Sequence, residues 1–200
     1  MQNSGISKLY QNPPSYNPAT IIVLGVARGG TSMVAKSLHL AGVPMNATTV
    51  TYEDILLGEA IEAQNTPLVE QLISERDRAH SVWGLKRPNM LDTLPQYLHL
   101  FRNPICVTVF RDILSTAKRN EISLNWSIVE GLELAIHSNL QLVQFIQAHS
   151  IPNLLVSYEK AVQHPRTFVN ALVEHCGISC DIEPIVNSIE ADNPEYLGLV

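Results

Sequence analysis

Residues 20–32 read TIIVLGVARGGTS. The first seven form a short, apolar, β-branched run that closes on a glycine, the pattern of a strand buried on both faces of a parallel sheet. From Thr31 the pattern becomes helical: Met33, Val34, Leu38 and Leu40–Ala41 fit one helical face, and Gly42 and Pro44 close it. Strand, glycine-rich turn and helix together are the context of a phosphate-binding loop. The segment Gly25–Ser32 has that loop's two glycines at the right separation and its terminal hydroxyl residue, but Thr31 stands where the lysine belongs. Gly29 and Gly30 still permit close backbone approach, and Thr31 and Ser32 add donors at a helix start, where the dipole favours an anion. Arg28 supplies a cation from another direction, with a planar fork suited to tetrahedral oxyanions. The competing possibility is a plain strand-to-helix turn with a surface arginine.

Outward from this segment, strand and helix patterns alternate. Strands are expected at 81–86 (SVWGLK), 104–112 (PICVTVFRD) and 153–159 (NLLVSYE). Helices are expected at 53–64, at 67–79 with Thr66 as cap, and at 89–101 around Pro95. A helix bearing Lys118 and Arg119 follows 112, and another spans 165–176. Between Asn125 and His149, Val129, Leu132, Ile136, Leu140, Val143 and Ile146 step by three and four, which predicts a long helix with a core-facing stripe. The class is α/β: a three-layer phosphate-loop fold with a central parallel β-sheet flanked by helices. Residues 1–19, with three prolines and no apolar core, read as an extended lead-in to a single domain over 20–200.

The chain's 200 residues suffice for one well-buried core. A net charge of −6 provides no global basic footprint for nucleic acid or an anionic membrane, and no run reaches the length of a membrane span. Cys106, Cys176 and Cys180 form no zinc pattern and fit reduced structural thiols in a cytoplasmic protein. The apolar run of segment 104–112 ends on Arg111, with Asp112 after it. At the carboxyl edge of a parallel sheet, an arginine is expected to bind an anionic group rather than a metal. Arg119, on the next helix, either brackets a second phosphate with Arg111 or is a solvated cation.

Four segments carry a family resemblance. IIVLGVARGGTSMVAKSLHLAGVPM resembles the 5′-phosphosulfate loop of the sulfotransferases, whose donor is 3′-phosphoadenosine 5′-phosphosulfate (PAPS). PICVTVFRDILSTAKRNE resembles that family's 3′-phosphate element, WGLKRPNMLDTLP its lysine-proline segment, and LLVSYEKAVQHPRTFVNALVEHCGI its later strand and helix. The resemblance spans residues 20–178. It implies that Arg28, Gly29, Gly30, Thr31 and Ser32 hold the 5′ side of the donor, that Arg111 holds the 3′-phosphate, and that Lys86 lies near the transferring sulfuryl group. No metal is expected. The family's second 3′-phosphate ligand, a serine eight residues after the arginine, is Arg119 here, so that role falls to Arg119 or to Ser115. Pro88 stands where the animal enzymes have a catalytic histidine, and no Arg-Lys-Gly segment follows residue 160.

The proton acceptor is then sought among carboxylates. TTVTYEDILLGEAIEA lies where carbohydrate and some bacterial sulfotransferases present a glutamate. Glu53 is the first choice, ahead of Asp54 and Glu59, and its alternative role is as a helix-start acid. Tyr158 and Glu159 are read as supporting residues. The expected reaction is transfer of a sulfuryl group from PAPS to a hydroxyl or amine of a sugar or small molecule, bound by loops 43–66 and 119–127. The alternatives are a magnesium-dependent phosphotransferase using Asp112 and a nucleotide-binding module without catalysis.

Overall fold

The computed structural model describes residues 3–10, 17–47 and 49–189. Parts of the expected lead-in (1–2 and 11–16) and of the expected domain (48 and 190–200) lie outside the described residues. The sheet has five strands: β1 (Ile6–Leu9), β2 (Ala19–Gly25), β3 (Val82–Lys86), β4 (Pro104–Phe110) and β5 (Asn153–Ser157). Their order is β1-β5-β4-β2-β3. β3, β2, β4 and β5 are parallel, while β1 pairs antiparallel with β5, Ile6 opposite Val156. The sheet therefore begins inside the segment read as a lead-in. Four residues at an edge, lacking a long apolar run, carry too little pattern to be noticed.

The helices are α1 (Thr31–Leu40), α2 (Ile55–Glu62), α3 (Thr66–Ala79), α4 (Ile113–Leu124), α5 (Ile128–His149), α6 (Tyr158–Gln163), α7 (Pro165–Cys176) and α8 (Glu183–Asn187). Side chains of the central strand alternate between two cores, which makes three layers. Ile21 and Val23 pack with α1, α6, α7 and α8; Ile22 and Leu24 pack with α2, α3 and part of α5. The strand expected over 153–159 ends at Ser157, where the Ser157 side chain accepts from the Lys160 amide and Tyr158 and Glu159 open α6 instead. Three further local expectations shift. The cap of α3 is Asn65, whose side chain accepts from the Leu68 amide, one residue before the expected Thr66. The helix expected over 89–101 divides into 3₁₀ segments Pro88–Met90 and Leu94–Leu100, because Pro95 offers no N–H to the Leu91 carbonyl.

The third shift concerns α5. Its buried residues are Gly131, Ala135, Leu142, Phe145 and Ile146, whereas Val129, Ile136, Leu140 and Val143 of the expected core stripe face solvent. Gly131 lies against Ala117 of α4, so close contact with α4 sets the helix rotation and turns the stripe outward. No helix among the described residues is long and apolar enough to cross a membrane.

Candidate functional site

Strand order places the site. β2 is flanked by β3 on one side and β4 on the other, so the chain's direction of travel across the sheet reverses around it, and the carboxyl ends of these three strands border one crevice. The Gly25–Ser32 loop leaves β2, Lys86 ends β3, and Arg111 follows the end of β4. The sequence-predicted cations thus converge from separate segments.

The loop is built for close approach. The Gly29 amide donates to the Val26 carbonyl at 2.9 Å, and Arg28 and Gly30 both take left-handed backbone angles (φ 64° and 93°). A Cβ on Gly30 would collide with the ring of Tyr158, which fills the space beneath the turn. Gly30 caps α1 without a side-chain hydrogen bond, and the first turn of α1 holds no acidic residue. The opening amides of α1, with the Thr31 and Ser32 hydroxyls nearby, form an electropositive helix start.

Lys86 is the centre of the arrangement. Its side chain is 2% exposed, and Nζ donates to Glu53 Oε1 at 2.8 Å, Thr51 O at 3.2 Å and Ser32 Oγ at 3.3 Å. Burial lowers the Lys86 pKa from its ordinary value; Glu53 opposes that shift, and the charges of Arg87 and Arg28 add to it. Glu53 also accepts from Arg87 Nη1 at 3.1 Å, while Arg87 Nε binds Glu62 at 2.7 Å. Burial pushes the Glu53 carboxyl up, but Lys86 and Arg87 together outweigh it and leave its pKa below the ordinary value.

The capping role considered for Glu53 belongs to its neighbour. Asp54 Oδ1 accepts from the Leu57 amide and caps α2, and the buried Asp54 carboxylate pairs with Arg76 of α3 at 2.6 Å. The Asp54 amide in turn donates to the Lys86 carbonyl at 3.2 Å. The 51–54 segment is thereby fixed against the end of β3, which holds Glu53 over the loop. Glu59, exposed on α2, takes no part.

On the β4 side, Arg111 Nη1 donates to the Arg28 carbonyl at 3.3 Å, and its guanidinium lies 4.5 Å from the centre of the Tyr158 ring. Glu159 accepts from the Asp112 amide at 3.0 Å. Asp112 itself caps α4, its Oδ1 accepting from the Ser115 amide at 2.8 Å. Ser115 and Arg119 stand four apart, on one face of α4. Tyr158, read from the sequence as a supporting residue, packs beneath the turn and Arg111, whereas Arg87 is a neighbour whose role sequence reasoning missed. Arg87 stood in the quoted lysine-proline segment, but only the end of strand pairing at Lys86 lets consecutive side chains reach one carboxylate.

A cleft of about 240 Å³ adjoins the start of the loop, lined by Gly25–Ala27, Pro88, Asn120 and Gln141 among others. Among the described residues of the loops expected to form an acceptor pocket, those of 43–66 are absent from its lining and those of 119–127 contribute Asn120. Asn120 is 3% exposed and lines the cleft.

No family model matches the chain, and no curated protein matches it in sequence. Solved structures do. A sulfotransferase domain from the curacin biosynthetic pathway superposes with a TM-score of 0.59 at 16% identity, covering 86% of this chain and 77% of that one. The sulfotransferase domain of the Synechococcus PCC 7002 olefin synthase gives 0.56 at 16% identity, covering 88% and 78%. The chain has the sulfotransferase fold.

Proposed function

We propose that this chain, folded as a sulfotransferase domain, transfers a sulfuryl group from PAPS to a hydroxyl or amine acceptor. The observation that carries the proposal is the buried Lys86 ammonium, bonded at once to Ser32 of the uncapped α1 start and to Glu53. One cation therefore joins the anion cradle to a carboxylate positioned for proton transfer.

The donor set fits the co-substrate. The α1 amides with Thr31 and Ser32 would hold the 5′-phosphate side, with Arg28 beside them, and Arg111 with Ser115 or Arg119 would hold the 3′-phosphate. PAPS supplies an activated sulfuryl group. As the acceptor oxygen or nitrogen bonds to sulfur, the bond from sulfur to the bridging phosphate oxygen breaks. The electron pair stays on the phosphate, and the acceptor's proton passes to Glu53. Lys86 and Arg28 stabilise charge on the departing oxygen. When Lys86 turns toward that oxygen, Glu53 loses its nearest cation and gains basicity, so donor binding readies the base.

The cleft beside Pro88 would take the acceptor. Asn120, Ser138 and Gln141 line that cleft with polar side chains, which favours a hydroxyl-bearing small molecule or sugar over a purely apolar one. Asp112 spends a carboxylate oxygen on the cap of α4, which weighs against the magnesium-dependent alternative that needed it as a ligand.

The test is transfer of label from sulfur-labelled PAPS to a panel of polyols, sugars and small alcohols in EDTA. Labelled product from the natural chain, reduced at least about 100-fold by Glu53→Gln, is the expected result for loss of a general base. Donor binding with no product from any acceptor class would favour the non-catalytic module.

A further inference from the structure

The outward-facing stripe of α5 has an internal symmetry. Its apolar residues are Val129, Leu132, Ile136, Leu140 and Val143, with spacings of 3, 4, 4 and 3. Both the identities and the spacings read the same in either direction from Ile136. At 3.6 residues per turn, all five lie within about 40° of the Ile136 direction, a band narrow enough for a helix–helix seam. Ile136 is 55% exposed, Val129 59%, Leu140 53% and Val143 40%, with Leu132 half-buried, so most of the band is left uncovered by the described residues. The buried residues and those lining the cleft lie on the rest of the helix.

We propose that this stripe is a homodimer interface in which α5 packs antiparallel against α5 of a second copy, with the two-fold axis passing beside Ile136. A two-fold axis requires a self-complementary surface. Here it places Val129 against Val143, Leu132 against Leu140 and Ile136 against itself.

The charges agree with that occupant. Across the axis Glu133 faces Asn139, and no like-charged pair is opposed. α5 contains no lysine or arginine, which disfavours an anionic lipid surface as the occupant. The 22-residue helix is about 33 Å long. One helix pair lies at the small end of specific interfaces, so the expected dissociation constant is roughly micromolar.

Sedimentation equilibrium on the full chain between about 0.01 µM and 100 µM tests this, since that range brackets a micromolar dissociation constant. The expected result is a mass rising with concentration from 22.1 kDa to twice that value. Ile136→Glu removes two apolar contacts and opposes two carboxylates at the axis. It should weaken the dimer about a hundredfold or more while leaving the circular dichroism of the fold unchanged. Leu132→Glu and Leu140→Lys should each weaken it, and the two together in one chain should restore it. Only antiparallel pairing brings the introduced carboxylate of one copy to the introduced ammonium of the other. A monomer at every concentration, a dimer indifferent to Ile136→Glu, or a double variant that stays dissociated would each overturn the proposal.

Discussion

Replacing either partner of the Lys86–Glu53 ion pair should have unequal consequences, and the burial of the two side chains sets the inequality. Glu53→Gln leaves an ammonium that is 2% exposed, with only the neutral Thr51 carbonyl and Ser32 hydroxyl and a neutral amide near it. Stranding one member of a buried pair costs about 3–5 kcal/mol. The amide can still accept a hydrogen bond, so about 3 kcal/mol is expected. For a domain of this size that corresponds to a melting temperature lower by about 6–12 °C. Lys86→Met strands a carboxylate that is 19% exposed and keeps Arg87 at 3.1 Å. Its expected cost is below about 1.5 kcal/mol, since an apolar chain of similar length replaces a desolvated charge.

The deficit of Glu53→Gln also has a pH signature. Burial already lowers the Lys86 pKa from 10.5, and loss of the carboxylate lowers it further. Between that depressed value and 10.5 the unfolded chain holds the proton that the folded chain lacks. The natural folded chain loses the same proton at a higher pH, itself below 10.5, so stability of the variant relative to the natural chain rises with pH between the two folded Lys86 values and is level above them. Urea denaturation of both variants at pH 6 and pH 9 measures both effects. A greater loss from Lys86→Met, or a Glu53→Gln deficit that grows with pH, would refute the assignment of Lys86 as the buried charge in need of a partner.

Gly30→Ala should destabilise the fold by more than about 2 kcal/mol, combining a left-handed backbone angle with displacement of Tyr158; adding Tyr158→Ala should recover only the packing share, as read by urea denaturation. Arg111→Lys keeps the charge but loses the fork that reaches the Arg28 carbonyl and lies over Tyr158. Calorimetry should show donor affinity falling roughly 10- to 100-fold. In kcat/KM, the acid limb should fall below 4.5, where the depressed Glu53 carboxyl protonates, and the alkaline limb below 10.5, where Lys86 loses its proton. The stability that the Glu53 ion pairs contribute is present above the carboxylate's unfolded pKa and is lost as pH falls through the lower folded one. An acid limb between pH 6 and 7 would point to another base.

The parts of the fold legible in the sequence are those in which one residue pattern admits one structure. The run from Thr20 to Val26 is too apolar to lie anywhere but inside a sheet, and Gly29–Gly30 at its end admits a turn few other residues can make. The stripe on α5 was legible as a helix but not as a surface, because the same period serves a core or a partner. β1 was invisible for want of length. At the site, Lys86 and Arg28 followed from motif positions, whereas the contact between Lys86 and Glu53 joins segments 33 residues apart and depends on how 51–54 is fixed by Asp54 and Arg76. Tyr158 was legible as a supporting residue, but its ring's place beneath Arg111 is likewise a product of tertiary packing.

Calorimetric titration of the chain with 3′-phosphoadenosine 5′-phosphate in EDTA, beside ATP with magnesium, tests the central claim most directly. The account predicts metal-independent binding of the first, at least about tenfold tighter than ATP and lost in Arg28→Ala and Arg111→Ala. No binding of the first, or binding of ATP alone and only with magnesium, would contradict it.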